Sequence, residues 1–478
     1  METYDIYQNP LITRYASREM AEIFSDENKI RLWRKLWVVL AESEKELGIN
    51  ITDEQIAELK KYQNDINWKT AQEREKIVRH DVMAHVYAYG EQAKTAKPII
   101  HLGATSCYVT DNAEIIMIYN ALETVKKKLV TLIDKLSKFA LKYKDLVTLG
   151  FTHFQAAQPT TVGKRACLWI QDLITDFEYL DFLTQNIKLR GVKGTTGTQA
   201  SFLKLFNGDS EKVKELEKLV LKKLGFKSAY GVTGQTYPRK FDYAVLSGLS
   251  MVAQSAYKFA NDLRLLQHLK EVEEPFEKEQ IGSSAMAYKR NPMRSERICA
   301  LARYVISLPI NASITASTQW FERTLDDSAN KRIVIPQAFL AVDGILNLYL
   351  NISENMVVYE NMIKKHLDEE LPFMATEEIL MECVAAGGDR QELHEKIRQH
   401  SVMSAAEVKQ KGKQNDLLKR IAEDPAFAAV KDKLDLLTDA KRFAGRAAEQ
   451  VDEFYNNEIK PIIENNKNYL GAEYEVKV

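Results

Sequence analysis

Residues 111–149 decide the fold class: DNAEIIMIYNALETVKKKLVTLIDKLSKFALKYKDLVTL contains neither glycine nor proline. Apolar residues recur along it in steps of three and four, at Ile115, Ile118, Leu122, Val125, Leu129, Leu132, Leu136, Phe139 and Tyr143. This spacing puts them on one stripe of a helix and sustains a heptad seam. The stretch predicts one very long helix, with Asp111 as its N-cap and Glu114 completing a capping box.

Helical patterns of the same kind continue through the middle of the chain. Further helices are expected over 162–187, 245–266, 297–320 and 328–358, and Pro309 and Pro336 should kink the last two. Strand patterns are scarce, so hairpins are expected only at 190–201 and 226–238. We therefore predict an all-α protein with a central bundle of very long helices over 111–358, flanked by smaller helical domains over 1–110 and 359–478.

Several apolar residues lie off the helical seams, among them Ile116, Met117, Trp169, Leu246 and Met251. One chain cannot easily cover that much apolar helix surface. We therefore expect the bundle to associate with further copies of itself, forming a helical core in an oligomer.

Composition and charge narrow the class of protein. Lys and Arg number 66 against 67 Asp and Glu, and this balance disfavours nucleic acid as a partner. The opening METYDIYQNP is acidic and polar, so no signal peptide is expected, and no run looks apolar enough to cross a membrane. The four cysteines are scattered and should be reduced, which favours the cytoplasm.

The first two polar segments fall at the ends of predicted helices. In RHDVMAHV (79–86), His80 and His85 are five residues apart and share no helical face, so a metal site is disfavoured and a buried or capping histidine is the simpler interpretation. In HLGATSCYVTDNAE (101–114), Thr105 and Ser106 precede the long helix. Hydroxyls there are usually caps, but a helix N-terminus also binds anions.

A third polar segment, GFTHFQAAQPTTVGKR (150–165), places His153 in a loop between Gly150 and Pro159. A histidine at such a position could act as a general acid. Its Gly163 and Lys164 lack the leading glycine of a phosphate-binding loop, so nucleotide hydrolysis of that kind is excluded.

The fourth segment, EQIGSSAMAYKRNPMRSER (279–297), combines serines with Lys289 and several arginines. It is either a solvated surface loop or a mobile catalytic loop that closes over an anion. TQWFERTLDDSANKR (318–332) follows, and its Arg323 and Arg332 either grip a carboxylate or phosphate or form ion pairs within the bundle.

The run GSSAMAYKRNP (282–292) resembles the signature loop of the fumarase/aspartase superfamily. The similarity extends over nearly the whole chain, through TRYAS (13–17), RHDVMAHV, HLGATS, THFQ, KGTTGTQASF (193–202), TGQTYPRK (233–240), FERTLDDSANKR and GGDRQELHEKIR (387–398). The residues after the loop favour the branch that cleaves adenylosuccinate over the argininosuccinate, fumarase and aspartase branches. A sibling lyase with another succinylated substrate, or a helical scaffold without activity, are the alternatives.

The resemblance implies a homotetramer with active sites shared between subunits and with neither metal nor organic cofactor. It implies two fumarate-releasing reactions on small phosphorylated purine precursors: adenylosuccinate to AMP, and succinylaminoimidazole carboxamide ribotide (SAICAR) to AICAR. By position, Ser283 matches the catalytic base and His153 the general acid, and His80 and Lys289 complete the catalytic set. The matched substrate-contacting positions are Arg14, Tyr15, Arg79, His80, Asp81, Thr105, Ser106, Thr152, Gln235, Lys289, Asn291, Arg297, Arg323, Ser328 and Arg332.

One position departs from the superfamily pattern. Ala287 stands where the loop usually has proline. Without the fixed φ angle of proline, we expect the open loop to be less ordered and its closure rate to change.

Overall fold

A computed structural model describes residues 5–477. The predicted all-α class is confirmed, because 69% of the residues are helical and the strands of the described chain form only two small two-stranded sheets.

The amino-terminal part packs around a core that contains Trp33, Trp37, Tyr89 and Tyr108. A π-helical turn at Leu11–Tyr15 comes first, and a 3₁₀ turn at Lys97–Ile99 comes last. Between them lie α1 (Arg18–Ile23), α2 (Asp26–Glu46), α3 (Asp53–Tyr62), α4 (Trp68–Val78) and α5 (Asp81–Gln92).

The central part is a bundle of long helices. Its elements are α6 (Ser106–Lys142), β1 (Val147–Thr152), β2 (Gln155–Thr161), α7 (Val162–Gln185), α8 (Ala200–Leu205), α9 (Ser210–Leu224), α10 (Lys240–His268), β3 (Val272–Glu273), α11 (Met293–Ser307), α12 (Pro309–Ser317), α13 (Asp327–Asn355) and β4 (Val357–Val358). Helices α6, α7, α10, α11 and α13 enclose one large hydrophobic core. Strands β1 and β2 form an antiparallel hairpin, and β3 pairs with β4.

The start of the long helix differs from the sequence prediction. Helix α6 begins at Ser106, with Thr105 rather than Asp111 in the N-cap position. Asp111 lies inside the helix and is buried, and its carboxylate accepts hydrogen bonds from Arg239. The capping prediction was wrong because the local pattern around Asp111 resembles a helix cap, whereas the acid serves a buried ion pair with a residue distant in the chain.

The predicted hairpins were also misplaced. Residues 190–201 and 226–238 are largely irregular, and Ala229 within the second stretch forms only an isolated bridge with Leu189, just before the first. The hairpin lies instead at 147–161. Its first strand alternates Val147, Leu149 and Phe151 with threonine and glycine, whereas its second strand, QAAQPTT, has no apolar alternation. Pro309 does not kink one helix but starts a new one, α12, whereas α13 continues through Pro336.

The expectation that no run could cross a membrane needs correction. By length and composition alone, Met293–Ser317 and Asp327–Asn355 are apolar enough to do so. The second is α13, whose most apolar window is 83% buried in the bundle, as is typical of a core helix. The first is interrupted where α11 meets α12, and 33% of its window is buried.

The carboxyl-terminal part has a small core of its own between Ala375 and Leu437. Its helices are α14 (Glu360–Met374), α15 (Thr376–Ala385), α16 (Arg390–Lys411), α17 (Leu417–Glu423), α18 (Leu434–Leu437), α19 (Ala440–Phe443), α20 (Ala447–Phe454) and α21 (Lys460–Asn465), with shorter turns at Pro425–Lys433, Tyr455–Ile459 and Lys467–Tyr469. Val451 and Ile459 then return to the central core. The domain boundaries at 110 and 358 stay a prediction.

The bundle has two ends, which position the candidate site residues. At one end, which we call the Asp111 end, Arg239 of the α10 N-cap joins Asp111 of α6 to Asp327 of α13. At the other, the hairpin end, α6 leads into β1, while α10 and α13 lead into the paired strands β3 and β4. Because α6 has 37 residues, it is about 55 Å long at 1.5 Å per residue.

Candidate active site

Three separate segments meet around His80 at the Asp111 end. His80 is the N-cap of α5, and its Nδ1 accepts the backbone N–H of Met83 at 3.3 Å. That bond uses the lone pair on Nδ1, so a neutral imidazole carries its proton on Nε2. Nε2 lies 3.4 Å from the Ser106 hydroxyl at the start of α6. The capping role expected for a histidine in this segment is therefore present, and it also directs an N–H towards Ser106.

The other histidine of this segment, His85, is a core residue. It is buried and contacts Trp33 and Trp68 edge to face. Burial lowers its pKa to about 4, so the ring is neutral. His85 therefore has the structural role that the simpler interpretation assigned to it.

The amino terminus of α6 lies open beside Gln235. The Thr105 side chain makes no capping hydrogen bond among the described residues, and its hydroxyl instead accepts from Gln235 Nε2 at 3.4 Å. The Gln235 backbone is held on both sides, since Arg190 Nε donates to its carbonyl at 2.7 Å and its N–H donates to Glu322 O at 2.9 Å. A long helix with an uncapped N-terminus can bind an anion.

Both candidate arginines of the 318–332 segment are at this end, and both are ion-paired. Arg323 donates to Asp327 at 3.3 Å, and Arg332, on α13, donates to Asp81 at 3.1 Å. The intra-bundle pair expected for Arg323 is therefore present. The Arg332 side chain remains 68% exposed, so most of its guanidinium can still reach a ligand.

Two further predicted residues lie at element boundaries here. Arg79 ends α4 in the left-handed conformation, with φ of 54°, next to His80. Ser328 lies in the first turn of α13, and its N–H donates to Leu325 O at 3.1 Å. Together with His80, Asp81, Thr105, Ser106, Gln235, Arg323 and Arg332 they form what we call the His80 cluster.

A buried ionic tie lies beneath the His80 cluster. Arg239 donates through Nε to Asp327 at 2.6 Å and through both terminal nitrogens to Asp111 at 3.1 and 3.2 Å. Burial alone would raise the pKa of Asp111, but Arg239 and Lys331 together hold it below its ordinary value. Asp327 carries Arg323 on the same carboxylate oxygen, so the tie also supports a residue of the cluster.

His153 is at the opposite end of the bundle, in the turn of the β1–β2 hairpin. Thr152 and Gln155 are paired across it, leaving His153 and Phe154 as the two turn residues. Both have positive φ, 54° and 56°, which such turns require and which asparagine and glycine tolerate best. Each of these side chains costs about 1 kcal/mol or more in that conformation. Strain of this kind clusters at functional sites, and the His153 side chain is exposed.

The signature loop, residues 279–292, also lies at the hairpin end. The Ser283 hydroxyl oxygen accepts the backbone N–H groups of Ala285 at 3.4 Å and Met286 at 3.2 Å. Asn291 Nδ2 donates to Gly282 O at 2.6 Å, and a Cβ on Gly282 would collide with the Lys289 carbonyl. Gly282 is therefore required for the two sides of the loop to approach. The Lys289 and Ala287 side chains are exposed, and the effect of Ala287 on closure stays a prediction.

The neck of this loop is closed by Glu274, which sequence reasoning missed. Its buried carboxylate accepts the N–H groups of Arg294 at 3.0 Å and Ser295 at 2.9 Å and the Ser295 hydroxyl at 2.8 Å. Burial raises the pKa of Glu274. Glu274 directly follows β3, so these hydrogen bonds join the end of β3 to the start of α11. They fix the two chain segments between which the signature loop extends.

Arg14 and Tyr15 occupy the π-helical turn Leu11–Tyr15, which lies along α13. Tyr15 packs against Gly344, and the N–H of Ser17 donates to Asp343 at 2.6 Å. Arg14 is exposed. Arg297, one turn into α11, lines a cavity of about 590 Å³ with residues 277–280, which lead into the signature loop. Arg297 therefore adjoins the start of the signature loop, whereas Tyr15 lies beside the middle of α13.

Most of the predicted site residues thus form two groups in one chain. The His80 cluster is at the amino end of α6, the hairpin with His153 follows its carboxyl end, and these two ends of the helix are about 55 Å apart. Ser283, Lys289 and Asn291 share the hairpin end. One reacting carbon cannot contact groups so far apart.

Comparison with known proteins identifies the family. A family model described as "Lyase" matches residues 32–307, and one described as "Adenylosuccinate lyase C-terminus" matches residues 372–454. The chain is 53% identical to the adenylosuccinate lyases of Schizosaccharomyces pombe and Saccharomyces cerevisiae over 99% of each chain. It is 48% identical to that of Schistosoma mansoni over the full length of both.

Solved structures support the fold. 3-Carboxy-cis,cis-muconate lactonizing enzyme from Pseudomonas putida superimposes with a TM-score of 0.81 at 23% identity, covering 95% of this chain and all of the other. A fumarate lyase from Mesorhizobium gives 0.78 at 21% identity, with the same coverage. By full-length sequence identity and by both matching models, the chain belongs to the adenylosuccinate lyase family.

Proposed function

We propose that this lyase converts adenylosuccinate to AMP and SAICAR to AICAR, releasing fumarate each time, as a cytoplasmic homotetramer in purine biosynthesis. The observation that carries the proposal is the 53% identity, over 99% of the chain, to enzymes named for the first reaction. All residues matched to the superfamily's catalytic positions are present: His80, His153, Ser283 and Lys289.

The reaction is a β-elimination. A base removes a proton from the carbon next to one carboxylate, and the electron pair spreads onto that carboxylate as an enediolate-like dianion. The pair then forms the double bond of fumarate as the neighbouring carbon–nitrogen bond breaks, and an acid protonates the departing nitrogen. Donors fixed around the growing negative charge contribute most to such a step.

Ser283 is the proposed base. A serine hydroxyl is a poor base in water and acts as one only where its alkoxide is favoured. Its oxygen already accepts hydrogen bonds from two backbone N–H groups, those of Ala285 and Met286. Both hydrogen bonds would become stronger as negative charge develops on the oxygen. Closure of the loop would add the Lys289 ammonium and exclude water.

His153 is the proposed acid for the leaving nitrogen. Its imidazole is exposed and stands on a strained two-residue turn, so a substrate can reach the ring. His80 would donate a hydrogen bond from Nε2 to a substrate carboxylate, because Nδ1 already accepts the N–H of Met83. Thr105, Ser106, Gln235, Asn291 and Thr152 would supply hydrogen bonds to substrate.

The arginines are the proposed anion grip. Arg14, Arg79, Arg297, Arg323 and Arg332 would bind phosphate and carboxylate groups remote from the breaking bond, with Tyr15, Asp81 and Ser328 beside them. A guanidinium suits such planar, two-pronged contacts better than an ammonium. Asp81 and Asp327 would hold Arg332 and Arg323 in place before substrate arrives.

We infer that each site is assembled from different subunits. The support is the separation of about 55 Å between the two ends of α6, since the His80 cluster lies at its amino end and the hairpin follows its carboxyl end. Exposed apolar side chains on the bundle, such as Ile310 at 62% and Phe182 at 62%, favour contact with other copies. In an antiparallel arrangement of helices, the His80 cluster of one chain would meet the hairpin end of another.

The proposal is tested by following fumarate release with purified enzyme. Adenylosuccinate should be cleaved and argininosuccinate should not. Ser283→Ala should lower kcat for adenylosuccinate roughly 10²- to 10⁴-fold with little change in substrate binding, since a base acts only in the transition state.

Ser284→Ala is the matched control, because it removes the neighbouring hydroxyl and should have a milder effect. Near-normal turnover by Ser283→Ala would exclude it as the base. Turnover of argininosuccinate in preference to adenylosuccinate would show that the enzyme is a sibling lyase.

A further inference from the structure

The C-terminal tail, residues 470–477, lies across the bundle in an extended path. Thr131 of α6 holds its start, donating to Tyr469 O at 2.9 Å and accepting the N–H of Ala472 at 3.1 Å. The Tyr474 hydroxyl then donates to Glu354 near the end of α13. These contacts carry the tail from α6 past α13 towards the turn that holds Arg14 and Tyr15.

The tail reaches that turn through Lys477. Its ammonium donates to Ala16 O at 2.7 Å and to Ile12 O at 3.5 Å, the carbonyls on either side of Arg14 and Tyr15. In the π-helical turn Ala16 N–H bonds to Leu11 O, but the next N–H, that of Ser17, goes to Asp343 instead of Ile12 O. Lys477 therefore supplies a donor at the carboxyl end of the turn, where a cation is also favoured by the backbone dipoles.

Lys477 and its neighbour Val476 also border the neck of the signature loop. Val476 and Lys477 line the 590 Å³ cavity together with residues 277–280, Arg294 and Arg297. Arg294 belongs to the start of α11 that Glu274 fixes, and it also pairs with Glu277. The tail thus lies between the Arg14 turn and the base of the catalytic loop.

We propose that Lys477 is a positioning residue, which holds the Leu11–Tyr15 turn so that Arg14 and Tyr15 are preorganised for the anionic end of the substrate. This inference rests on the proposed function, which assigns Arg14 and Tyr15 to substrate binding. The C-terminal tail is then a brace, joining a substrate-binding turn at the start of the chain to the neck of the loop that carries Ser283. Lys477 itself need not touch the substrate.

The test compares three tail variants in fumarate release from adenylosuccinate, with inorganic phosphate as a competing anion. Lys477→Met removes the ammonium but keeps the length of the side chain, and we expect it to raise KM about fivefold with kcat nearly unchanged. Phosphate inhibition should weaken by a similar factor. Lys477→Arg retains a donor and should restore both values. Lys467→Met, an exposed lysine just before the tail, is the matched control and should behave as wild type.

Hydrogen exchange gives a readout that does not depend on activity. The amides of residues 12–17 should exchange faster in Lys477→Met than in wild type or Lys477→Arg, because the turn loses its donor. If Lys477→Met leaves KM, phosphate inhibition and exchange unchanged, the inference is wrong. Equal effects of the Met and Arg variants would also overturn it.

Arg14→Ala separates this inference from the proposed function. If Arg14→Ala raises KM strongly and Lys477→Met does not, the substrate-binding role of Arg14 stands and the brace is rejected. If Arg14→Ala leaves KM unchanged, the role of Arg14 fails, and the positioning role of Lys477 fails with it.

Discussion

Glu44 of α2 is an acid enclosed by the amino-terminal core. Its side chain is fully buried, and neither carboxylate oxygen has a hydrogen-bond partner among the described residues. Burial raises its pKa to about 9, so the folded protein keeps Glu44 protonated at neutral pH. The unfolded chain releases that proton near pH 4.5. Between these two values folding must take up a proton, and the stability of the folded state falls as pH rises.

We therefore expect Glu44→Gln to gain thermal stability over wild type as pH increases. Glutamine has the shape of the protonated acid and has no proton to lose. Between pH 6 and pH 8 the stability difference should change by roughly 3 kcal/mol in favour of the variant. Thermal unfolding of both proteins at the two pH values measures it. Glu54→Gln, on the exposed face of α3, should show no such trend, and a pH-independent difference for Glu44→Gln would contradict the assignment.

At this scale, the sequence indicated candidate residues within motifs and missed the roles of the residues that support them. Ser283, His153 and the arginines stand in short polar runs, and the resemblance to the superfamily supplied their roles, which stay predictions. Arg239 and Glu274 were given no role, because their partners lie 128 and about 20 residues away and only folding brings them together. Asp111 was recognised but given a local role as a cap, whereas its partner is on another helix.

The three helices α6, α10 and α13 are joined at the Asp111 end by one buried guanidinium. Arg239 is shared between Asp111 and Asp327, and both carboxylates are almost fully buried. Buried ion pairs are costly to break, because the remaining charge keeps its desolvation penalty without a partner.

Arg239→Met should consequently destabilise the protein by about 3–5 kcal/mol, since it leaves two buried carboxylates close together. Arg18→Met is the matched control: its pair with Glu22 is exposed, with side-chain exposures of 91% and 62%, and its loss should cost less than about 0.5 kcal/mol. Melting temperatures by calorimetry provide the comparison. Equal melting temperatures for the two variants would show that the tie does not hold the helices together.

Long helices were the most predictable elements and the hairpin the least. A seam of apolar residues repeated over many turns leaves little ambiguity, so α6, α7, α10 and α13 appear close to their expected positions. The start of α6 was harder to predict, because its first five residues include Ser106 and Thr110, and such hydroxyl residues are also common in the loop before a helix. In the β1–β2 hairpin only the first strand alternates apolar residues, at Val147, Leu149 and Phe151. The second strand has no such pattern and the turn is His-Phe in place of the usual Asn-Gly, so the sequence does not indicate two paired strands.

At the scale of the whole molecule, the positions of the two site groups predict complementation between inactive subunits. If His80 and Ser283 of one site come from different chains, mixing His80→Ala and Ser283→Ala proteins should restore activity. In randomly reassembled copies of the proposed tetramer, about a quarter of the sites would hold both intact residues. Activity would be measured after unfolding and refolding the mixture, with mixed tetramers confirmed by mass.

A mixture of Ser283→Ala with the double variant His80→Ala/Ser283→Ala is the control, because it contains no intact Ser283 and should stay inactive. Mixed tetramers of the two single variants with no regained activity would confine each site to one chain. Mixing His153→Ala with Ser283→Ala tests whether the proposed acid and the proposed base of one site also come from different chains. Since both residues lie at the hairpin end, recovery would mean that two hairpin ends from different chains meet at each site.

The turn at His153 and Phe154 has a consequence for how this enzyme can change over generations. The left-handed backbone at both positions favours asparagine and glycine, and that pair would relieve the strain of the two residues. Selection for heat resistance alone would therefore favour replacement of His153, the proposed acid. Selection for turnover would preserve the strained pair, His153 and Phe154. Laboratory lineages evolved under one pressure or the other should diverge at this turn, and the divergence would reveal how much folding stability the organism gives up to keep the imidazole there.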